Sequence, residues 1–560
     1  MVKKITDFFS KEISGLHEAA YLLGFFAILA DILGLIRDRL LASKFGASHL
    51  LDIYYSAFRI PDFIFVTVGS LVAISVLVPF IIEKVNVSNE EGKKFIDNVF
   101  SFFFLLIISV SVLAFILVPY LAPKVFEGFT AKDFPDLILI TRILLLSPIF
   151  LGLSNFFGSI TQVYKKFVIY SLSPLAYNLG VILGITVFYP LFGLKGLAFG
   201  VIIGALAHLL IQIPFVMRRG MFPRFSAFWR IDFTSIRRVL LLSVPRTFTL
   251  AIAQITTIFL MVMATFMKDG SVAIFNFSNN LQSVPLSIIG VSYSIAAFPT
   301  LAKHFTSGNR GKFLDEIITS CRHIIFWSIP VSVMFIVLRA QIVRTILGAG
   351  QFNWDNTRLT AACLALFSVS VVAQSLILLF VRGYYAAGNT KKPLLIGIAS
   401  GVLIIVFSYL LVKIFALCPM FQYFIEALFR VEGIAGTSVL MLSLGYTLGI
   451  FANCILLWIY FGREFVGFTK ALRRTIFDSF CSSVIMGGVA YLGLNLFNNI
   501  LNINTLIGIF MQGFLAGIVG LIAGLIILKL LKNKELDEIW NTLHSKIWKA
   551  KPLPADILEI

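Results

Sequence analysis

The side chains in this chain with chemistry to offer are arginines and aspartates set inside apolar runs. Residues 31–80 read DILGLIRDRLLASKFGASHLLDIYYSAFRIPDFIFVTVGSLVAISVLVPF, two apolar runs around a loop. Asp31 lies inside the first run, and Arg37, Asp38 and Arg39 close it. Asp52 opens the second, where Arg59 and Asp62 bracket Pro61. A charge at mid-bilayer costs about 2.5–3.5 kcal/mol on insertion scales, so such groups persist where they face a wet cavity, pair with one another or hold a ligand. One such group near an interface can snorkel; a set this dense points to a site.

Arginine suits a phosphate or diphosphate, because its planar fork binds two oxygens and its charge does not titrate away. The candidates are Arg37, Arg59, Arg142 and Arg246. Each has a plainer use. Arg37 can clamp Asp38 or Asp52, and Arg59 stands three residues before Asp62, the spacing of an intrahelical pair. Arg142 and Arg246 lie near span ends, from which they reach headgroups. Asp31, Asp52 and Asp62 can instead carry coupling, since a carboxylate in a partly dry cavity binds H⁺ or Na⁺. For Asp52 a salt bridge to a nearby arginine is the expectation, and Asp31 is expected to pair with Arg37 or Arg246 or to bind a cation. Gln254, Asn276, Asn279, Asn280 and Gln282 can bind sugar hydroxyls, although helix–helix hydrogen bonds are the commoner use of such groups.

The elements that must position these groups are membrane helices. Of 560 residues, 59% are hydrophobic and 13% charged, against about 45–50% and 25% in a soluble domain. About fourteen apolar runs reach the ~20 residues a span needs. Period-two alternation is missing, which argues against a barrel. The expected fold is therefore an all-α polytopic membrane protein of about fourteen helices. Of the 46 Lys and Arg residues, 31 fall on the segments of one side, 12 on those of the other, and Arg59, Arg142 and Arg246 within spans. By the positive-inside rule both termini are then cytoplasmic. The net charge of +18 is accounted for by inner loops facing anionic lipid, so nucleic acid is not expected as a partner. The five cysteines (Cys321, Cys363, Cys418, Cys454, Cys481) and six histidines show no metal-ligand or disulfide spacing. No cleavage site marks a removable signal.

The chain reads as duplicated. Pro61 and Pro79 in the second span correspond to Pro285 and Pro299 in the eighth, and Lys165-Lys166 corresponds in position to Lys391-Lys392. The expected layout is a short interfacial helix over 1–17, a six-helix lobe over 18–217, a basic linker over 218–238, a second six-helix lobe over 239–461, an extra helix pair over 462–531 and a tail over 532–560. Two similarly oriented halves suit a transporter with a site between them. In the tail Ile539, Trp540, Leu543 and Ile547 follow helical spacing, with Trp540 and Trp548 suited to headgroups.

Several stretches resemble the MurJ (MviN) lipid II flippase family of the MOP exporter superfamily: Leu33-Gly34-Leu35-Ile36-Arg37-Asp38, Phe45-Gly46-Ala47, Asp52 and Ala57-Phe58-Arg59-Ile60-Pro61, then Pro245-Arg246, Gly270-Ser271-Val272 and Gly383-Tyr384-Tyr385-Ala386-Ala387-Gly388-Asn389-Thr390-Lys391-Lys392-Pro393. The likeness runs from about residue 18 to 530. It implies two lobes around a cationic central cavity, an extra helix pair forming a lipid-accessible groove, and an undecaprenyl-diphosphate-linked cell-wall precursor moved from the inner to the outer leaflet by alternating access. The expected substrate-binding group in that cavity is Arg37, Arg59, Arg246, Asp52 and Asn280, and Asp31, Asp38 and Asp62 are read from their placement as possible coupling or structural acids. Arg37 and Asp52 match family positions and Arg59 a basic one. The family's arginine positions hold Asp31, Phe65, Val66 and Asn280 here.

The expected function is thus a lipid II flippase of the bacterial inner membrane, with a lipid-linked diphosphate as substrate, anionic lipids and cell-wall synthesis proteins as partners, and no cofactor beyond H⁺ or Na⁺ coupling or the membrane potential. No enzyme motif is present, and flipping breaks no bond. The competing readings are an exporter of another polyprenyl-linked glycan, a cation-coupled drug antiporter, and a non-transporting scaffold for wall synthesis.

Overall fold

Apolar runs interrupted by polar caps fold as helices. The structure is a computed structural model that describes residues 16–547 except 73, 226–230, 466 and 503. In chain order the helices are α1 Leu16–Phe45, α2 His49–Ala57, α3 Arg59–Leu71, α4 Ile74–Val87 and α5 Asn89–Val125. They continue as α6 Phe134–Val163, α7 Phe167–Phe192, α8 Leu194–Arg218, α9 Phe233–Thr265 and α10 Ser271–Thr306. The remainder are α11 Arg310–Val337, α12 Arg339–Leu347, α13 Trp354–Ala386, α14 Lys391–Leu417, α15 Pro419–Phe429, α16 Val439–Glu464, α17 Phe468–Asn498, α18 Leu506–Leu530 and α19 Lys534–Ile547. Among the described residues twelve helices are long and apolar enough to cross a membrane. The two further spans expected from the sequence coincide with α1, which carries Asp31, Arg37, Asp38 and Arg39, and with α3 and α4, which are separate helices. The expected helix over 1–17 and the Trp548 anchor lie outside the described residues, apart from the first residues of α1.

Side-chain caps set several helix starts. Ser88 accepts from the Glu91 N–H at 3.0 Å, with Glu90 and Glu91 in the first turn of α5, a capping arrangement that satisfies an orphan donor and complements the helix dipole. Asp232, Asn309 and Thr505 cap α9, α11 and α18 in the same way.

The chain forms two compact units. Unit 1 comprises 1–281, 346–363 and 390–453; unit 2 comprises 282–345, 364–389 and 454–560. In unit 1, α7 and α8 meet through glycines at helical spacing. A Cβ on Gly180 would lie 2.2 Å from Gly204 Cα, and one on Gly200 would lie 2.3 Å from Gly184 Cα. The two backbones are therefore in contact, the packing that small residues permit in membranes. In unit 2, α17 and α18 pair similarly, with a Cβ on Gly520 meeting the Ala490 methyl at 2.8 Å.

Unit 2 also holds the tail. Glu535, 4% exposed, accepts from Thr475 Oγ1 at 2.6 Å and lies 3.9 Å from Arg322 Nε. Asn533 donates to Asp478 at 3.3 Å and caps the Leu536 N–H at 3.0 Å. The tail forms a helix, α19, over Lys534–Ile547. It is fastened to α11 and α17 by buried polar groups, and Trp540 stands 69% exposed.

Candidate functional site

The sequence-predicted residues converge in unit 1. The Arg37 fork binds Asp38 through Nε at 2.9 Å and Nη2 at 2.8 Å, and its Nη1 donates to Asn178 Oδ1 at 3.3 Å. Asp38 is 3% exposed and uses its other oxygen to accept from Asn280 Nδ2 at 3.0 Å. A continuous chain Asn178–Arg37–Asp38–Asn280 therefore links α7, α1 and α10. Of the two clamps expected for Arg37, Asp38 is the one formed. Asp31 has interactions of its own, but the Arg37 fork is committed elsewhere.

A second polar link also reaches α10. Arg59 Nη2 donates to Asn276 Oδ1 at 2.8 Å, and its Nε donates to the Tyr55 carbonyl at 3.3 Å. Asn276 in turn donates to the Val272 carbonyl at 2.8 Å. Arg59 does not make the intrahelical pair with Asp62 that its spacing allowed. The Asp62 carboxylate is half-buried and makes no hydrogen bond or ion pair with a described residue, although the charge of Arg59 acts on it from a distance. Arg59 thus has no carboxylate in direct contact among the described residues and feels Asp62 only at a distance, whereas the charge of Arg37 is matched directly by Asp38.

Asp52 does something the sequence did not indicate. It is 3% exposed and accepts the Gly270 N–H at 2.6 Å and the Ala273 N–H at 2.9 Å. Its partner is the N-terminus of α10 in place of the expected arginine. Orphan N–H groups and the positive dipole end make that terminus a ready anion site. Gly270 has φ +90, and a Cβ there would sit 2.2 Å from the Ala47 carbonyl oxygen, so only glycine brings this turn against the chain that precedes α2.

Around Asp52 one end of unit 1 is drawn together. Gln351 N donates to the Ser43 carbonyl at 2.8 Å. His49 places Nε2 2.9 Å from Asp133 and Nδ1 2.9 Å from Asp269. Burial pulls the His49 pKa down, but the two carboxylates outweigh it and hold the imidazole above its usual value. Burial likewise raises Asp133, and its bonds from His49 and Thr130 outweigh that and hold it below the usual carboxylate value.

Other candidates lie apart from this group. Arg142 donates to the Phe115 carbonyl at 3.2 Å and lies 4.6 Å from the centre of the Phe115 ring. The Arg246 side chain lies outside the described residues. In unit 2, Gln282 accepts from Gln374 at 3.1 Å, a helix–helix bond. Sequence reasoning missed Asn178, His49, Asp133 and Asp269. Asn178 was signalled only by an amide inside an apolar run, and the other three sit at loops or helix starts where polar residues are ordinary.

An all-helical polytopic bundle with a buried Arg–Asp–Asn chain between its helices defines a multi-pass membrane transporter. A model of the family described as lipid II flippase MurJ matches residues 41–420, and the chain belongs to that family. A probable lipid II flippase MurJ of Thermotoga maritima is 27% identical over 530 residues, covering 93% of this chain and 97% of that protein. One from Haemophilus influenzae is 27% identical over 394 residues, covering 67% and 77%. Among solved structures, a lipid II flippase MurJ in an inward closed conformation aligns with a TM-score of 0.72 at 22% identity, covering 92% of this chain and all of that one. An inward-facing multidrug resistance MATE transporter of the MOP superfamily aligns at 0.62 and 14% identity, covering 80% and 99%. The last two likenesses speak to the fold alone. The family is one of transporters and not of catalytic enzymes.

Proposed function

We propose that this chain flips lipid II, an undecaprenyl-diphosphate-linked precursor, from the inner to the outer leaflet of the bacterial cytoplasmic membrane, with both termini in the cytoplasm. The observation that carries this reading is the family match over residues 41–420 together with Arg59, a half-buried cation whose hydrogen bonds among the described residues go to neutral acceptors. An arginine in that state has charge to offer a diphosphate. Arg37 and Asn280, fixed by Asp38, set the wall against which the headgroup lies. Asp62, whose carboxylate has no hydrogen-bond or ion-pair partner among the described residues, is the acid available for H⁺ or Na⁺ coupling. Asp52 closes the outer end by holding the start of α10. Alternating access follows if substrate binds one of two states better, since only a difference in affinity shifts such an equilibrium.

The test is rescue of bacteria depleted of their own lipid II flippase, with outer-leaflet lipid II scored directly. Rescue by the parent chain, lost in the Arg37→Ala, Arg59→Ala double variant, is the expected result. A well-expressed, inserted chain that fails to rescue would overturn it and favour another lipid cargo or the scaffold reading.

A further inference from the structure

His49 opens α2 with a carboxylate on each ring nitrogen, Asp133 on Nε2 and Asp269 on Nδ1, both at 2.9 Å. A neutral imidazole has one N–H and one lone pair. Both contacts are hydrogen bonds only when the ring carries its second proton; without it, a lone pair faces a carboxylate oxygen. Asp133 is not free to turn away, because its second oxygen accepts from the Thr130 N–H and the Thr130 hydroxyl, each at 2.8 Å. Phe129 packs edge-on to the imidazole at 5.7 Å.

The three partners come from three different loops. His49 follows residues 46–48, Asp133 ends 126–133, and Asp269 lies in 266–270. The other charged group near the ring is Asp52, one turn along α2, whose oxygens are taken by Gly270 and Ala273. Lys268 adjoins Asp269 but donates to the Ala435 carbonyl at 3.4 Å. Lys132 adjoins Asp133 and is exposed. The local charge facing the ring is therefore negative, and a proton is the cation that completes it.

We propose that His49 is a proton-binding site whose occupancy ties loops 46–48, 126–133 and 266–270 together and whose deprotonation releases one of them. With the orientation given under the proposed function, on which this inference rests, the site faces the outer compartment. External acid then holds that end of unit 1 shut, and external alkali loosens it. The position of histidine among side chains makes this a switch within the physiological range.

Histidine C2 hydrogen–deuterium exchange, read by mass spectrometry on the full chain in lipid nanodiscs, gives the titration midpoint of His49 directly. A midpoint above about 6.5, falling in Asp269→Asn, is expected; a midpoint at or below that value in the parent would overturn the proposal. Spin labels on Ala131→Cys and Met267→Cys, with Cys418 and Cys481 changed to Ser, report the loops. The parent should show one short distance at pH 6 that broadens at pH 8.5. His49→Arg, a permanent cation, should stay short at both pH values, and His49→Gln should be broad at both. An unchanged distribution in the parent, or the same pH response in His49→Gln, would sink the idea. Neither readout requires transport, so failure here leaves the rescue experiment untouched, and failed rescue leaves the proton site standing.

Discussion

Arg59 donates to Asn276 at 2.8 Å across 217 positions of chain, and that bond ties α3 to α10. The consequence is separable by mutation. Asn276→Ala removes a neutral acceptor from a charged donor, a loss of about 1.5–3 kcal/mol, while leaving the cation in place. We expect Asn276→Ala to lower the thermal unfolding midpoint in detergent yet retain part of the rescue. Arg59→Ala should lose rescue even under conditions where the folded protein accumulates. If the two variants lose rescue equally at equal expression, Arg59 acts only as a strut.

Asp52 makes a prediction of a different kind. Its two oxygens satisfy two N–H groups at the start of α10, a task comparable to helix capping, where truncation to Ala costs about 0.5–2 kcal/mol. Asp52→Ala should destabilise by that order, and Asp52→Asn by less, since the amide keeps one acceptor oxygen. Urea or thermal unfolding of the two variants side by side checks the order. Equal loss in both would mean that the negative charge, and not the hydrogen bonds, is what α10 requires.

These two residues show what the sequence could carry. That Arg37, Asp38, Asp52 and Arg59 would each require a polar partner was legible, because charges inside apolar runs are costly and their crowding is visible in a string. Their partners were not. Asn178 and Asn280 lie 141 and 242 positions away, and nothing local selects the amide that will meet a given charge. Asp52 looked like an ion-pair acid because a side chain advertises its charge, whereas the backbone N–H groups that hold it belong to every residue alike. The twelve long apolar helices were readable from length and hydrophobicity, whereas the short helices α2, α12 and α15 were not. The α3–α4 break was less so, since it falls inside a single apolar run.

The glycine contacts of α7 and α8 are a strong test of the packing. At Gly200 a Cβ would sit 2.3 Å from Gly184 Cα, and backbone on the facing helix cannot move aside as a side chain can. Gly200→Leu should abolish accumulation of folded protein, and Gly200→Ala should already lower the unfolding midpoint. Gly488 in α17 has nothing within 4 Å of its would-be Cβ, so Gly488→Ala should be neutral or stabilise by up to about 0.5–1 kcal/mol through helix propensity. Size-exclusion profiles and melting curves of the three variants decide the matter.

The pH dependence of stability follows from the signs at His49 and Asp133. His49 is raised in the folded state, so its contribution is fully present below the unfolded value of about 6.5 and is lost as pH rises through the folded one. Asp133 is lowered, so its contribution is present above the unfolded value of about 3.9 and is lost as pH falls through the folded one. The pair therefore stabilises most between those limits, in mildly acidic solution. The partial exposure of both groups keeps the effect modest and sensitive to salt. We expect the unfolding midpoint of the parent, measured relative to Asp133→Asn, to show its largest advantage near pH 5–6 and to shrink toward pH 8.5. The same advantage at every pH would mean that Asp133 acts through Thr130 alone, without the imidazolium.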